Sequence, residues 1–420
     1  MSLTSWLHNR ISGRESGLAY TVAGMVMLLC WALVLKGGDV VRSKDELAFL
    51  AISKNLAETG MFALEPGVPT AYRAPGQAFF LAPLSALGAG LMEARLANGV
   101  LVALGLVFLF QLVRRHSGEL AGLISVVMVA GWPVMIYSAT TLYPQTLAAF
   151  LLILTLWLLD GLRTRDSVRP VLLGGVSYGA FILTIPVALL LTPIFVAWII
   201  SMSRRWLTAV VIFGIVSGSV VSSWTLRNWV TFDAFIPVAT SSGYNLLAGN
   251  SPSTRWNTSL GVRFPEYVYT EITGKDEVER NDIMTRAAFA EIRSDPGRFV
   301  QLYAGKFLHW FHFSNRLLSD KVLEEGASSV PVGTREIILF VAWSLLIMGP
   351  LLLRLAMIRR VPMRRIEFLF FALWIGAGLA YALFFTRVRF RLPFDWLILS
   401  VNAMFIATLI EQRLNRMGLR

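Results

Sequence analysis

Runs of about twenty apolar residues recur along this 420-residue chain, and no other feature limits its fold so strongly. A helix of ~20 residues, rising ~1.5 Å per residue, crosses the ~30 Å hydrocarbon layer of a bilayer. Ten such runs are legible: residues 17–35, 96–113, 120–138, 142–162, 171–185, 186–202, 207–224, 337–355, 368–385 and 392–410. Backbone polar groups cannot stay unpaired in lipid, and no short alternating pattern marks a barrel, so the spans are helices. The fifth and sixth share one apolar stretch broken only by Thr184, Ile185 and Pro186, which reads as two spans or as a short re-entrant pair. Composition agrees. With 55% hydrophobic and 15% charged residues and a mean hydropathy of +0.62, the chain is unlike a water-soluble enzyme or a disordered segment. The expected fold class is an all-α polytopic membrane protein of about ten transmembrane helices.

A net charge of +12 would suit a nucleic-acid partner if it formed one continuous surface. Its distribution says otherwise. One side of the spans carries Arg10, Arg14, Arg114, Arg115, Arg163, Arg165, Arg169, Arg204, Arg205, Arg354, Arg359, Arg360, Arg364, Arg365, Arg413, Arg416 and Arg420, 17 basic residues against six acidic ones. The other side holds 21 basic and 20 acidic residues. The positive-inside rule makes the first side cytoplasmic, with both termini, and no nucleic-acid partner is expected. Counting residues 74–92 as an eleventh span would reverse every later basic cluster, so that segment is read as interfacial. Arg10 and Arg14 precede an uncleaved anchor, since no small-residue cleavage site follows Leu35. The lone Cys30 excludes a disulfide or a cysteine-based zinc site.

Two outward segments, 36–95 and 226–335, are too long to be mere connectors. The organisation expected is a membrane core with seven spans and a first outer loop (1–224), a large outer loop with amphipathic helices (225–335), and three C-terminal spans (336–420). In the first loop, Ser43 with Glu46 three residues on forms a capping box, and Gly60 is a natural helix stop. Between them Phe49, Ile52 and Leu56 recur at helical spacing, as on a helix lying along the membrane surface. Asp45 and Glu46 are first-turn acids that the helix dipole favours. Capping partly occupies Glu46, whereas Asp45 remains available to whatever cavity the loops enclose. Pro69 and Pro75 bracket Arg73, stiffening a loop that holds a guanidinium near headgroup depth. Such an arginine suits phosphate binding; the competing reading is a snorkelling side chain. In the second loop Val278, Ile283, Ala287, Ala288 and Ile292 mark an amphipathic helix. A helix rich in Phe299, Tyr303, Phe307, Trp310 and Phe311 follows, seated at the interface or lining a groove. His309 and His312 lack a companion acid, so no metal site is expected.

These motifs resemble a known group. Asp45-Glu46, Asn55-Leu56-Ala57-Glu58-Thr59-Gly60 and Tyr72-Arg73-Ala74-Pro75-Gly76 resemble the first periplasmic loop of bacterial GT-C glycosyltransferases, in the branch of protein O-mannosyltransferases and aminoarabinose (lipid A) transferases. The likeness continues in Thr225-Leu226-Arg227-Asn228-Trp229, Phe235-Ile236-Pro237-Val238, Ser242-Gly243-Tyr244-Asn245-Leu246 and Gly249-Asn250-Ser251-Pro252. It returns in Arg387-Val388-Arg389-Phe390-Arg391-Leu392-Pro393. The resemblance implies a multi-pass protein of the bacterial inner membrane, its site facing the periplasm. The donor it implies is a sugar on a polyprenyl phosphate, and the acceptor a lipid, glycan or protein. It implies a catalytic role for Asp45 with Glu46 beside it; Arg73, Arg227, Arg389 and Arg391, all near outer ends of spans, are the candidates for phosphate binding, with Tyr72, Asn228 and Asn250 of the same motifs as further substrate-binding candidates. Relatives often carry an acid after a proline where this chain has Tyr143-Pro144-Gln145, and an amide cannot act as a base.

The chemistry accounts for so few acids. Cutting a sugar–sugar bond usually takes two carboxylates, one of them to protonate the leaving alkoxide. A leaving phosphate already carries charge well, so one base for the acceptor hydroxyl suffices, with cations to stabilise the departing group. One outward acid and several outward arginines meet that need without a cofactor. Two alternatives remain. A ligase or polymerase using diphosphate-linked glycans would demand more cations. A lipid-linked-sugar transporter or flippase would carry ionisable residues within its spans, which here are almost free of them.

Overall fold

The computed structural model describes residues 13–163, 167–257, 261–313 and 332–418. His8, Arg10, Arg165, Asp166, Arg420 and the 314–331 part of the second long segment lie outside the described residues. In chain order the helices are α1 (Glu15–Gly37), α2 (Lys44–Thr59), α3 (Gly76–Ala86), α4 (Leu91–Ala130), α5 (Pro133–Ala139), α6 (Gln145–Asp160) and α7 (Arg169–Thr184). A 3-10 turn, Pro186–Leu191, leads into α8 (Thr192–Met202) and then α9 (Trp206–Phe232). Four shorter helices follow: α10 (Ser242–Asn250), α11 (Glu266–Ile272), α12 (Glu277–Ser294) and α13 (Pro296–Trp310). A π-helical stretch, Trp343–Met348, joins α14 (Val332–Ala342) to α15 (Gly349–Ala356), and α16 (Arg365–Ala382) and α17 (Val388–Arg416) complete the body. A short antiparallel hairpin, β1 (Ala63–Glu65) with β2 (Val68–Pro69), pairs Ala63 with Pro69 and Glu65 with Val68.

Among the described residues seven helices are long and apolar enough to cross a membrane, fewer than the ten runs read from hydropathy. One of the seven accounts for two runs. The 40 residues of α4 bend at Gly118, whose φ of 86° and ψ of 169° are not helical. The second run lies before the bend, and the third continues past Ala130 into α5, where Pro133 starts a new helix because it lacks an N–H to extend the old one. The fifth and sixth runs form the 16-residue α7 and the 3-10/α8 pair, broken at Pro186. The apolar 74–92 segment folds as the 11-residue α3, too short to cross a bilayer.

The last helix, α17, is the most enclosed, with Leu392, Phe394, Trp396 and Leu397 all buried against α4, α6 and α16. The body is not as free of charge as hydropathy suggests. Arg354 pairs with Glu367 at 2.8 Å, and Arg391 with Asp395 at 2.8 Å, all four side chains buried. Each charge is neutralised locally, as a medium too apolar to solvate an isolated ion requires. Segments 38–90, 233–310 and 383–387 converge on one another, and their meeting place holds the site.

Candidate active site

Ser43 caps α2 from an extended conformation and accepts the Glu46 N–H at 3.3 Å, while Gly60 closes the helix in the left-handed region at φ 71°. The cap is therefore where the sequence places it, but the reciprocal half of the box is redirected. The Glu46 carboxylate accepts from the Arg42 N–H (2.7 Å), the Leu142 N–H (3.0 Å), and Arg95 Nε (3.2 Å) and Nη2 (2.8 Å). Glu46 and Arg95 are fully buried. Successive helical residues point about 100° apart, so Asp45 and Glu46 part company at once. Glu46 does not line the cavity with Asp45; it ties α2 to α4 and to the turn before Tyr143.

Asp45 faces a cavity of about 450 Å³. Arg73 Nη2 lies 2.6 Å from its Oδ1, and Arg389 Nη1 donates to its Oδ2 at 3.3 Å. The Arg389 guanidinium sits 4.3 Å above the centre of the Tyr143 ring, which fixes its plane. Arg387 lies within electrostatic reach behind them. Burial alone would raise the Asp45 carboxyl, yet Arg73, Arg389 and Arg387 together hold it below the usual carboxylate value. Burial pushes Arg387 down to about 9, with repulsion from Arg389 adding to it. Three cations thus surround one acid, an excess of positive charge in a partly dry cavity.

The remaining lining is mostly apolar: Tyr381 stacked on Phe390 (5.0 Å, 9°), Phe384 and Phe385, then Pro186, Leu189 and Leu190. Leu189 and Leu190 are each 50% exposed, so this wall reaches the outside of the helix body. Gln145 also lines the cavity, and its buried Oε1 has no hydrogen-bond partner among the described residues. The Arg73 loop is seated tightly, because a Cβ at Gly76 would meet Thr184 Oγ1 at 2.3 Å and its backbone at 2.8 Å.

Several candidates are placed elsewhere. Tyr72 stacks under the Arg73 guanidinium at 5.3 Å but stays outside the lining. Arg227 lies over Trp224 (4.8 Å) and donates to the carbonyls of Thr70 (2.9 Å) and Phe62 (3.1 Å), bracing the first segment against α9. Asn228 is buried and donates to the Ile236 carbonyl. Asn250 donates to the carbonyls of Leu246 and Leu383. Arg391 points away from the cavity, to Asp395 and to the carbonyls of Trp310 and His312. Of the expected set, then, Asp45, Arg73 and Arg389 converge. Tyr143 and Arg387 were not singled out; three arginines within five residues were the available signal for the second. His309 shares a 3.3 Å hydrogen bond with Thr386 Oγ1, and burial, then His312 and Arg391, push it down to about 4. Among the described residues no group of three or more His, Cys, Asp or Glu side chains is gathered to hold a metal.

Residues 72–224 match the family model of dolichyl-phosphate-mannose-protein mannosyltransferases. No curated protein sequence matches the chain. Among solved structures it is similar to the oligosaccharyltransferase AglB of Archaeoglobus fulgidus, in complex with an inhibitory peptide and a dolichol-phosphate, at 12% identity and TM-score 0.55. That match covers 97% of this chain and 52% of AglB, so the chain spans about half the archaeal protein. The apo form of the Archaeoglobus fulgidus oligosaccharyltransferase gives 14% identity and TM-score 0.54, over 96% and 52%. ArnT from Cupriavidus metallidurans bound to undecaprenyl phosphate is similar at 14% identity and TM-score 0.43, over 94% of this chain and 78% of that one. The family match over residues 72–224 and the likeness of fold to AglB point the same way, to the fold of membrane glycosyltransferases that use lipid-linked sugars.

Proposed function

We propose that the chain transfers a sugar from a polyprenyl-phosphate carrier to an acceptor hydroxyl on the periplasmic face, with Asp45 as general base. The observation that carries this reading is Asp45 held between Arg73 and Arg389 in a cavity whose other wall is apolar. The family description names a lipid phosphate donor, and AglB is known with a dolichol-phosphate, which supports such a carrier here. A phosphate and its isoprenoid tail need cations beside an apolar wall.

The electrostatics give the site an order of events. While both arginines pair with it, Asp45 is a weak base. A donor phosphate competes for the same guanidinium hydrogens, and as they turn toward it the carboxylate becomes more basic. The acceptor hydroxyl then gives its proton to Asp45 as its oxygen attacks the anomeric carbon, and the carbon–phosphate oxygen bond breaks. The departing phosphate keeps the electron pair, with Arg73, Arg387 and Arg389 stabilising its charge. A single displacement of this kind inverts the anomeric centre. The test is transfer from an undecaprenyl-phosphate-linked sugar by the full chain in lipid nanodiscs. Asp45→Asn should abolish transfer while the protein still inserts, and the product should be inverted. Full activity in Asp45→Asn overturns the base, and a retained product overturns the single displacement.

A further inference from the structure

Of the arginines that meet Asp45, Arg73 sits on a loop and Arg389 on the first turn of α17, which the 383–387 loop leads into. Residues 70–73 contain no helix or strand; besides the local bonds of the Thr70 N–H to the Phe62 carbonyl and of the Tyr72 N–H to Thr70 Oγ1, four contacts from farther along the chain fix them. Glu277, at the start of α12, accepts from Thr70 Oγ1 and from the Ala71 N–H, both at 2.6 Å. The Thr240 N–H donates to the Ala71 carbonyl (2.9 Å), and Arg227 to that of Thr70. Both Glu277 oxygens are committed to this turn, directly before Arg73.

The second loop, 383–387, is held by α13. Lys306 is fully buried and donates through Nζ to the carbonyls of Phe384 (2.9 Å) and Gly249 (3.0 Å), with Asn250 Oδ1 at 3.4 Å. No carboxylate pairs with it among the described residues. A lysine buried among neutral carbonyls is costly unless those oxygens need the charge. Burial, then Arg298, pushes Lys306 down to about 7. The contact is close on every side, since a Cβ at Gly249 would meet the Phe384 carbonyl oxygen at 2.0 Å. Thr386 Oγ1 donates to the Lys306 carbonyl at 3.0 Å, and Arg391 reaches the Trp310 and His312 carbonyls at the far end of α13. The stretch carrying Arg387 and Arg389 is thus pinned before and after by one helix.

We propose that the helix pair α12–α13 aims the cation cluster, Glu277 positioning Arg73 and Lys306 positioning Arg387 and Arg389. Neither residue lines the cavity. Each acts through a loop, so both are positioning residues, and the pair couples the second long segment to the phosphate site. This inference rests on the proposed phosphate donor.

The test is binding of undecaprenyl phosphate to the full chain in nanodiscs, for the wild type and for Lys306→Met, Glu277→Gln, Thr70→Val, Arg389→Ala and Arg73→Ala. Losing a charge-assisted contact that sets an arginine should weaken binding about tenfold in Lys306→Met and severalfold in Glu277→Gln. Double variants decide the mechanism. Lys306→Met should cost little more once Arg389 is alanine, and Glu277→Gln little more once Arg73 is. Unchanged affinity in both single variants, or costs that persist undiminished without the arginines, overturns the inference. If Lys306→Met does not fold, Glu277→Gln and Thr70→Val decide it. Failure of the wild type to bind, or arginine variants that bind as well as it does, instead overturns the proposed donor.

Discussion

Asp45 and Glu46 are adjacent in the chain and carry the same charge, yet the fold gives them opposite surroundings. Asp45 is met by one arginine of a loop and one of the first turn of α17, and it borders a cavity, with Arg73 still 31% exposed. Glu46 is met by one arginine of a long helix, Arg95, which also donates to the carbonyls of Gly38 and Val40. Around Glu46 every carboxylate oxygen is spent on holding chain segments together. Around Asp45 the partners are ones a phosphate can take away. A charge fixed on all sides builds structure, and one that borders a cavity is open to a ligand.

The comparison breaks first at Asp45→Asn. Removing a positioned base should lower the rate of transfer by ~100-fold or more, with melting temperature lowered by only about a few degrees. Glu46→Gln should do the reverse. The amide would set an N–H against Arg95 in a fully buried pair, and losing one partner of such a pair costs ~3–5 kcal/mol. A large fall in melting temperature is expected, with whatever fraction remains folded still binding undecaprenyl phosphate. A stable Glu46→Gln protein that binds the lipid but has lost transfer would return Glu46 to the chemistry.

Arg227 sharpens the contrast on the cation side. Its aromatic stacking and carbonyl contacts make it a brace, so Arg227→Ala should lose ~2 kcal/mol of stability and leave undecaprenyl phosphate affinity within about twofold of wild type. Arg73→Ala and Arg389→Ala should show the opposite pattern. A tenfold affinity loss in Arg227→Ala would place it in the phosphate site after all.

Much of this was legible in the sequence because local physics sets it. Apolar length gives the spans, and Ser43 and Gly60 bound α2 as cap chemistry requires. Asp45, Arg73 and Arg389 were also legible, from residue type and motif. What could not be read is which polar residues turn inward. Arg391 lies two positions from Arg389, yet in a helix that step is about 200°, which carries it to Asp395 instead of Asp45. Arg227 and Asn250 stand in motifs that add nothing to the cavity lining, because the packing of α9 and α10 spends them on carbonyls. Lys306 gave no signal, because its partners are backbone oxygens from distant segments.

The smallest effect concerns acid. Because Asp45 is held below the usual carboxylate value, folding favours its ionised form. That contribution to stability is fully present above the unfolded value near ~4 and is lost as pH falls through the lower folded value. Asp45→Asn has no such contribution to lose. The melting-temperature advantage of the wild type over Asp45→Asn, on the order of a few degrees at neutral pH, should therefore shrink as the buffer is taken below about pH 4. Arg389→Gln removes one of the cations responsible, so its acid-side loss should be smaller and complete at a higher pH. Parallel melting curves for wild type and Asp45→Asn down to pH 3 would mean that the arginines do not bias Asp45. Its readiness to become a base on donor binding would then lose its electrostatic cause.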